Sequence, residues 1–255
     1  MKKEVDEEKV HQVVALIKES TYLTILTGAG VSTGSGIPDF RTPGKGIWEK
    51  VDPIKVASIQ AFMKDPRQFY YFYRPRIEML WQASPNPAHK AISRLEEMDY
   101  LKCLITQNID NLHQRAGSKR VVEVHGSLRE AICQRCKKII SAELLINKLD
   151  NEEKIPYCEC GGVFKPKVVL FGEMLVNLEQ AIFESRRSDL MMVIGSSLQV
   201  SPVNLLPEYC LDNGGKLIIV NFMPTHLDDQ AEVLVREDVC IFLPEVIKIL
   251  EKTKE

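Results

Sequence analysis

Residues 28–41 of this chain, Gly-Ala-Gly-Val-Ser-Thr-Gly-Ser-Gly-Ile-Pro-Asp-Phe-Arg, constrain what it can fold into more than any other stretch. They follow directly on an apolar run over residues 22–27 that reads as a buried strand, and they crowd glycine and proline into a short loop. Gly28, Gly30 and Gly34 are expected to let backbone N–H groups approach a phosphate where a Cβ would collide, which places a nucleotide at the end of a first strand. An ordinary dinucleotide fingerprint, with an acidic residue about 20 positions further on, does not describe this loop. Its glycines run instead into Ile37, Pro38, Asp39, Phe40 and Arg41, a rigid turn that offers an aromatic face, a carboxylate and a permanent cation beside the phosphates.

The chain of 255 residues is long enough for one large domain with a small insertion. A formal net charge of -2 gives no basic footprint, so nucleic acid is not expected as the main ligand. The charged start from Met1 to Val10 lacks an apolar signal core, and no apolar run approaches the ~20 residues a bilayer requires, so a cytoplasmic protein without a membrane partner is expected. Seven cysteines are an odd number, and four of them sit in close pairs, which in a reducing compartment favours a metal over disulfides. Cys103, Cys210 and Cys240 lie in apolar surroundings suited to filling a core.

Helical spacing appears at Val10, Val13, Val14 and Ile17, and strand-like apolar runs recur at residues 101–106, 190–194 and 216–220. Asn86 and Pro87 supply a cap and a first-turn proline for a helix with Ile92, Leu95 and Met98 on its apolar face. Such alternation predicts an α/β fold, a doubly wound parallel sheet with helices on both faces. Two stretches interrupt it, and the expected division is a Rossmann-like domain over 1–42, 86–129 and 168–255 with a small domain from insertions 43–85 and 130–167. A ligand cleft is expected at the carboxyl ends of the strands.

Cys133, Cys136, Cys158 and Cys160 supply four thiolates, enough to close a tetrahedral zinc site with no open position, and a closed site is structural. The second pair is C-x-C, tighter than the common C-x-x-C. Polar residues also follow two strands, at Thr106–His113 and at Val124–Ser127. His11, His89 and His226 read as structural histidines, whereas His125 ends an apolar run and precedes a glycine, which lets its imidazole face a ligand.

Taken in order, Gly28–Gly30, Gly36–Arg41, Thr106–Asp110, His125–Gly126, the cysteine quartet, Phe171–Glu173, Gly195–Ser197 and Val220–Asn221 resemble a sirtuin of bacterial or archaeal type over nearly the whole chain. The resemblance implies an NAD-consuming protein lysine deacylase on a Rossmann-like domain with a small zinc domain. In that family the acyl oxygen of a modified lysine attacks the nicotinamide ribose, nicotinamide leaves, and a neutral histidine then activates the ribose hydroxyls for acyl transfer to ADP-ribose. His125 matches that base, with Asn108 and Asp110 orienting the ribose and the nicotinamide amide and Gln107 and Ile109 beside them. By the same carry-over Gly28, Ala29, Gly30, Thr33, Asp39, Phe40 and Arg41 line the nicotinamide and phosphate end. Gly195, Ser196, Ser197, Asn221 and the region of Val239 and Cys240 hold the adenosine half.

The resemblance also makes Val168, Val169 and Phe171 one wall for a substrate peptide bound as an added strand, with Val200 on the other wall. Core strand is the equally weighted reading of residues 168–171. Tyr73 and Arg76 match the Tyr-x-x-Arg pair with which some sirtuins bind malonyl or succinyl groups, although residues 70–73 also suit a helix face packed on a core. Two other readings use the same scaffold: an NAD-cleaving enzyme or mono-ADP-ribosyltransferase, which needs no acylated peptide, and a zinc-stapled NAD sensor, which needs no positioned base. A dehydrogenase gives the Asp39–Arg41 turn no role.

Overall fold

The computed structural model describes residues 5–39, 52–150 and 154–253. Asp6 caps the first helix, α1 (Glu7–Glu19), by accepting from the Lys9 N–H, and Val10, Val13, Val14 and Ile17 form its buried stripe at the spacing read from the sequence. β1 (Leu23–Thr27) is buried along its whole length. Three helices follow, α2 (Pro53–Ala57), α3 (Ile59–Lys64) and α4 (Pro66–Gln82), opened by the capping side chains of Asp52, Ser58 and Asp65. α5 (Pro87–Glu97) starts where the Asn86 cap and the proline place it, with a capping box between Asn86 and His89. The chain continues through β2 (Leu101–Thr106), α6 (Leu112–Arg115), β3 (Val121–Glu123), β4 (Gly126–Cys133), β5 (Ile139–Ser141), α7 (Ala142–Leu149), β6 (Phe164–Val168), α8 (Leu178–Arg187) and β7 (Leu190–Ile194). It ends with α9 (Leu206–Asp212), β8 (Lys216–Val220), β9 (Val233–Val235) and α10 (Val239–Lys252).

Six strands form an entirely parallel sheet in the order β3-β2-β1-β7-β8-β9. The chain winds outward from β1 through β2 and β3, then restarts at β7 and winds outward the other way, so the order reverses between β1 and β7 and opens a crevice at their carboxyl ends. Both faces are covered, as the continuous apolar strands require. Ile25, Met192 and Ile218 pack under α1, α5 and α10, while Leu26, Met191 and Ile219 pack under α8 and α9. A second, antiparallel sheet β5-β4-β6 carries its own core, in which Phe62, Phe69 and Tyr70 of the helical insertion meet Leu145 and Phe164. The Tyr70 hydroxyl donates to the Phe164 carbonyl and ties α4 to β6. Among the described residues no helix is long and apolar enough to cross a membrane.

The glycine segment departs from the expected open loop: Ala29–Ser35 wind into a 3-10 helix. Its glycines are also required for a different reason than room for phosphate. A Cβ on Gly28 or Gly30 would lie 2.7 Å from backbone atoms of Gly195, so these residues let the loop after β1 press on the loop after β7.

The cysteine quartet assembles. The four Sγ atoms of Cys133, Cys136, Cys158 and Cys160 lie within 4.8 Å of one another, with Cys133–Cys160 at 3.5 Å and Cys136–Cys158 at 3.7 Å. Zn–S bonds of about 2.3 Å in a tetrahedron place sulfurs about 3.8 Å apart, so the donor set fits zinc. The tight C-x-C spacing is accommodated by a turn in which Gly161 N–H donates to the Cys158 carbonyl and Cys158 N–H to that of Gly162. All four thiols come from the segments that carry β4, β5 and β6, so a zinc ion held by them would tie these strands together. Chelation is therefore expected to remove one zinc per chain and to lower the melting temperature by several degrees; Cys136→Ser purified with a full zinc content, measured by atomic absorption, would contradict this assignment.

Candidate active site

At the carboxyl ends of β1 and β7 lies a cavity of about 1120 Å3, bounded by the second sheet and by α4. Its floor is the junction of two loops: Gly28 N–H donates to the Ile194 carbonyl at 3.0 Å and Gly30 N–H to that of Gly195 at 2.8 Å. Gly28, Ala29, Gly30 and Asp39 face it from one loop, and Gly195, Ser196, Ser197 and Asn221 from beyond the switch in strand order. Gln107 bridges the two halves by donating from Nε2 to Ser196 Oγ at 2.8 Å.

The polar groups after β2 are locked by short bonds. Asn108 Nδ2 donates to the Gly28 carbonyl at 3.2 Å and to Ser32 Oγ at 3.0 Å. Ser32 in turn donates to Asp110 Oδ2 at 2.7 Å, and Leu112 N–H donates to Asp110 Oδ1 at 3.0 Å. Burial raises the Asp110 carboxyl above the usual range, opposed by these hydrogen bonds. Behind Ser32 stands His89. Its Nδ1 accepts from Asn86 N–H, which puts the ring proton on Nε2, 3.4 Å from Ser32 Oγ. Ser32 joins this cluster without having been singled out in the sequence, while His89, read there as a structural histidine, is buried and bonded behind it. Ser32 lay inside the glycine-rich loop, but nothing in the spacing says that a histidine 57 positions on, held by a helix cap, would stand behind it.

His125 lies in the cavity wall at the junction of β3 and β4. Its Nδ1 is 2.9 Å from the Gln107 carbonyl, an oxygen that can only accept, so Nδ1 carries the proton and Nε2 keeps its lone pair. Burial lowers the imidazole below its ordinary value despite the opposing carbonyl, which keeps it neutral at pH 7. The following residue fixes the turn: Gly126 has φ 72°, and a Cβ there would lie 2.1 Å from the Lys167 carbonyl.

Ile109, Val168, Val169, Phe171 and Val200 line the cavity with Tyr73 and Arg76 of α4. Tyr73 stacks on Phe69 at 4.3 Å, and burial pushes its phenol up to about 12. The Arg76 guanidinium lies 3.5 Å over the Phe72 ring and donates from Nη1 to the Phe72 carbonyl, while its buried Nε has no hydrogen-bond partner. Tyr70 is core, and Tyr73 packs against the same core while lining the cavity. Three expected cofactor contacts stand off the wall. Thr33 Oγ1 turns back to the Gly30 carbonyl at 2.9 Å, Val239 is buried in the main core, and Cys240 Sγ packs against Gly34. Phe40 and Arg41 lie outside the described residues.

A model of the Sir2 family matches residues 28–202. The NAD-dependent protein deacetylase of Sulfurisphaera tokodaii is 48% identical over 236 residues, covering 92% of this chain and 94% of the relative. A solved Sir2 structure with NAD+ and a p53 peptide superposes with a TM-score of 0.86 at 41% identity, covering 94% of this chain and 98% of the other. Another, with a deacetylated p53 peptide and 3'-O-acetyl ADP-ribose, reaches a TM-score of 0.90 at 43% identity over the same shares.

The buried histidines carry a consequence for acid stability. Desolvation lowers His89 to about 4 and holds His113 well below 6.5. The unfolded chain therefore binds more protons than the folded one below pH about 6.5, and stability falls as pH drops from there towards the folded value. For His89 the full loss is on the order of 3 kcal/mol. Urea midpoints are expected to fall steadily between pH 6.5 and 4.5 and to fall less in His89→Asn; equal slopes for the two proteins would exclude His89 as the source.

Proposed function

The chain belongs to the Sir2 family, and on that premise we propose how it works: it is an NAD-dependent protein lysine deacylase that transfers the acyl group of a modified lysine to ADP-ribose and releases nicotinamide. The observation that carries this reading is a neutral, tautomer-fixed His125 facing the same cavity as the glycine loop and the Asn108–Ser32–Asp110 cluster. A mere NAD sensor has no use for a base with its lone pair aimed into the site.

NAD fits the crevice and supplies the ribosyl acceptor with its nicotinamide leaving group. Gly28, Ala29 and Gly30 would line the phosphate end, Asp110 and Asn108 the nicotinamide and its ribose, and Gly195, Ser196, Ser197 and Asn221 the adenosine half. Two donors on Asp110 keep its carboxylate oriented, and the surrounding burial strengthens every hydrogen bond it makes. His125 Nε2 takes the proton of a ribose hydroxyl, and the Gln107 carbonyl stabilises the imidazolium through Nδ1–H. The acylated segment of a protein or peptide enters as an added strand between residues 168–171 and Val200.

We read the parallel sheet as the cofactor domain and insertions 43–85 and 130–167 as the small one; β4 and β6 run across the boundaries at 129/130 and 167/168, so two continuous strands stiffen the join. A cytoplasmic location suits the quartet, because a reducing compartment keeps four thiolates available to zinc. A second reading concerns the acyl group. Arg76 holds a buried, unpartnered Nε–H in the cavity wall near Tyr73, and an arginine with a phenol suits the distal carboxylate of malonyl or succinyl lysine.

Nicotinamide release from NAD, followed by chromatography with mass detection, tests both. Release is expected only when an acetyl-lysine peptide is present, and His125→Ala is expected to lower kcat by about 100-fold or more. Release without any peptide would replace the deacylase by an NAD-cleaving enzyme. Arg76→Met should lower turnover of a succinylated peptide by about tenfold relative to the acetylated one; equal ratios in both proteins would remove Arg76 from acyl recognition.

A further inference from the structure

Lys165 is buried, with its side chain 7% exposed, yet it does not line the cavity. Its Nζ makes an ion pair with Glu173 Oε2 at 2.8 Å and donates to the Val168 carbonyl at 2.9 Å and, more weakly, to that of Pro166 at 3.4 Å. A buried ammonium is costly unless its donors are satisfied, and here they are satisfied at two separated points of one segment. Val168 starts that segment and Glu173 ends it, and all six residues face the cavity. Glu173 completes the clamp. The oxygen that receives Lys165 also accepts the Leu170 N–H at 2.8 Å, and Glu173 N–H donates to the Leu170 carbonyl at 3.0 Å.

Resting on the deacylase reading, we propose that Lys165 is a positioning residue for the substrate peptide: the Lys165–Glu173 bridge holds residues 168–173 in the shape against which an acylated peptide adds as a strand. Backbone pairing gains affinity only if the receiving strand is ordered beforehand, since otherwise each binding event must also order it. The rest of the segment is tied by its main chain, Val169 N–H to the His125 carbonyl at 2.8 Å and Phe171 N–H to that of Ala57 at 3.0 Å. Lys165 supplies the side-chain staple across the ends. Its Nζ bonds only Glu173 and the Val168 and Pro166 carbonyls, and Lys165 does not line the cavity, so the NAD KM is expected not to depend on it.

The experiment is steady-state nicotinamide release by the zinc-loaded full chain, varying an acetyl-lysine peptide and NAD in turn. Lys165→Met is expected to raise the peptide KM by about tenfold or more, with kcat within about threefold and the NAD KM unchanged. Lys165→Arg should restore the peptide KM, because a guanidinium reaches the same carboxylate. Where Lys165→Met fails to fold, judged by zinc content and thermal midpoint, Glu173→Gln decides: it keeps the segment's backbone bonds, drops the ion pair, and is expected to raise the peptide KM alone. An unchanged peptide KM in both variants, or kcat and both KM values moving together without rescue by arginine, would overturn the proposal. Failure of the wild-type protein to require peptide would sink the deacylase reading instead, and is visible before any variant is made.

Discussion

The close approach of two loops across the centre of the parallel sheet is the contact on which the rest of the molecule depends. Strand order reverses between β1 and β7, and these loops close the bottom of the crevice there. Gly28 bonds to Ile194, Gly30 to Gly195 and Gly195 to Val220, which stitches the carboxyl ends of three neighbouring strands into one floor. A side chain at Gly28 or Gly30 would meet Gly195 at 2.7 Å, and Gly195 itself has φ 59°. Glycine here serves the contact between two loops first. Room for a phosphate follows from it, because a floor made of backbone keeps Cβ atoms out of the crevice above.

The cluster of Asn108, Ser32, Asp110 and His89 at that floor is joined by hydrogen bonds rather than ion pairs. The site's histidines are kept neutral by burial and Asp110 is pushed upward, while ion pairs such as Arg94–Glu97, Lys138–Glu159 and Lys167–Glu130 lie at the exposed periphery. Exposed pairs of this kind contribute about 0–1 kcal/mol each and can be ignored in the energetics of the site. Hydrogen bonds within the cluster matter more, since low dielectric strengthens them and makes any unpartnered member costly. That explains the chain Asn86 to His89 to Ser32 to Asp110: each group is there to satisfy and orient the next, and a helix cap ends up setting the direction of a site carboxylate.

The main sheet was readable because its strands obey a local rule. Residues buried on both faces must be largely apolar, and residues 22–27, 101–106, 190–194 and 216–220 are so, with threonines, Lys102 and Lys216 the exceptions. The cysteine quartet was equally plain, since thiol spacing alone implies a shared ion. Other features depend on contacts between distant segments and leave no local trace. The loop after β1 winds into a 3-10 helix because it is pressed on Gly195, some 165 positions away in sequence. Val239 and Cys240 carry the apolar character of a helix start, and α10 spends them on the core and on Gly34 rather than on the cavity. Tyr70 and Tyr73 are indistinguishable by composition, and only the placement of α4 against β6 decides that one is core and the other faces the cavity.

His125 joins the two sheets through both of its ends, and this has a chemical result. Its imidazole donates to the Gln107 carbonyl, which belongs to the polar loop after β2, while its own carbonyl accepts from Val169 at the start of the segment 168–173. Gly126 then turns the chain into β4 at a backbone angle that an L side chain resists, with the Lys167 carbonyl in the space a Cβ would need. A base held in this way cannot shift independently of either neighbour. On the deacylase reading, the distance between the base and the strand that would receive the peptide is set by main-chain bonds, and the distance between the base and the floor of the crevice by Gln107, which also bonds Ser196. Reactions between two bound substrates need both held to within a fraction of an ångström. Here one residue, bonded through side chain and main chain to the two binding surfaces, supplies the common reference for both.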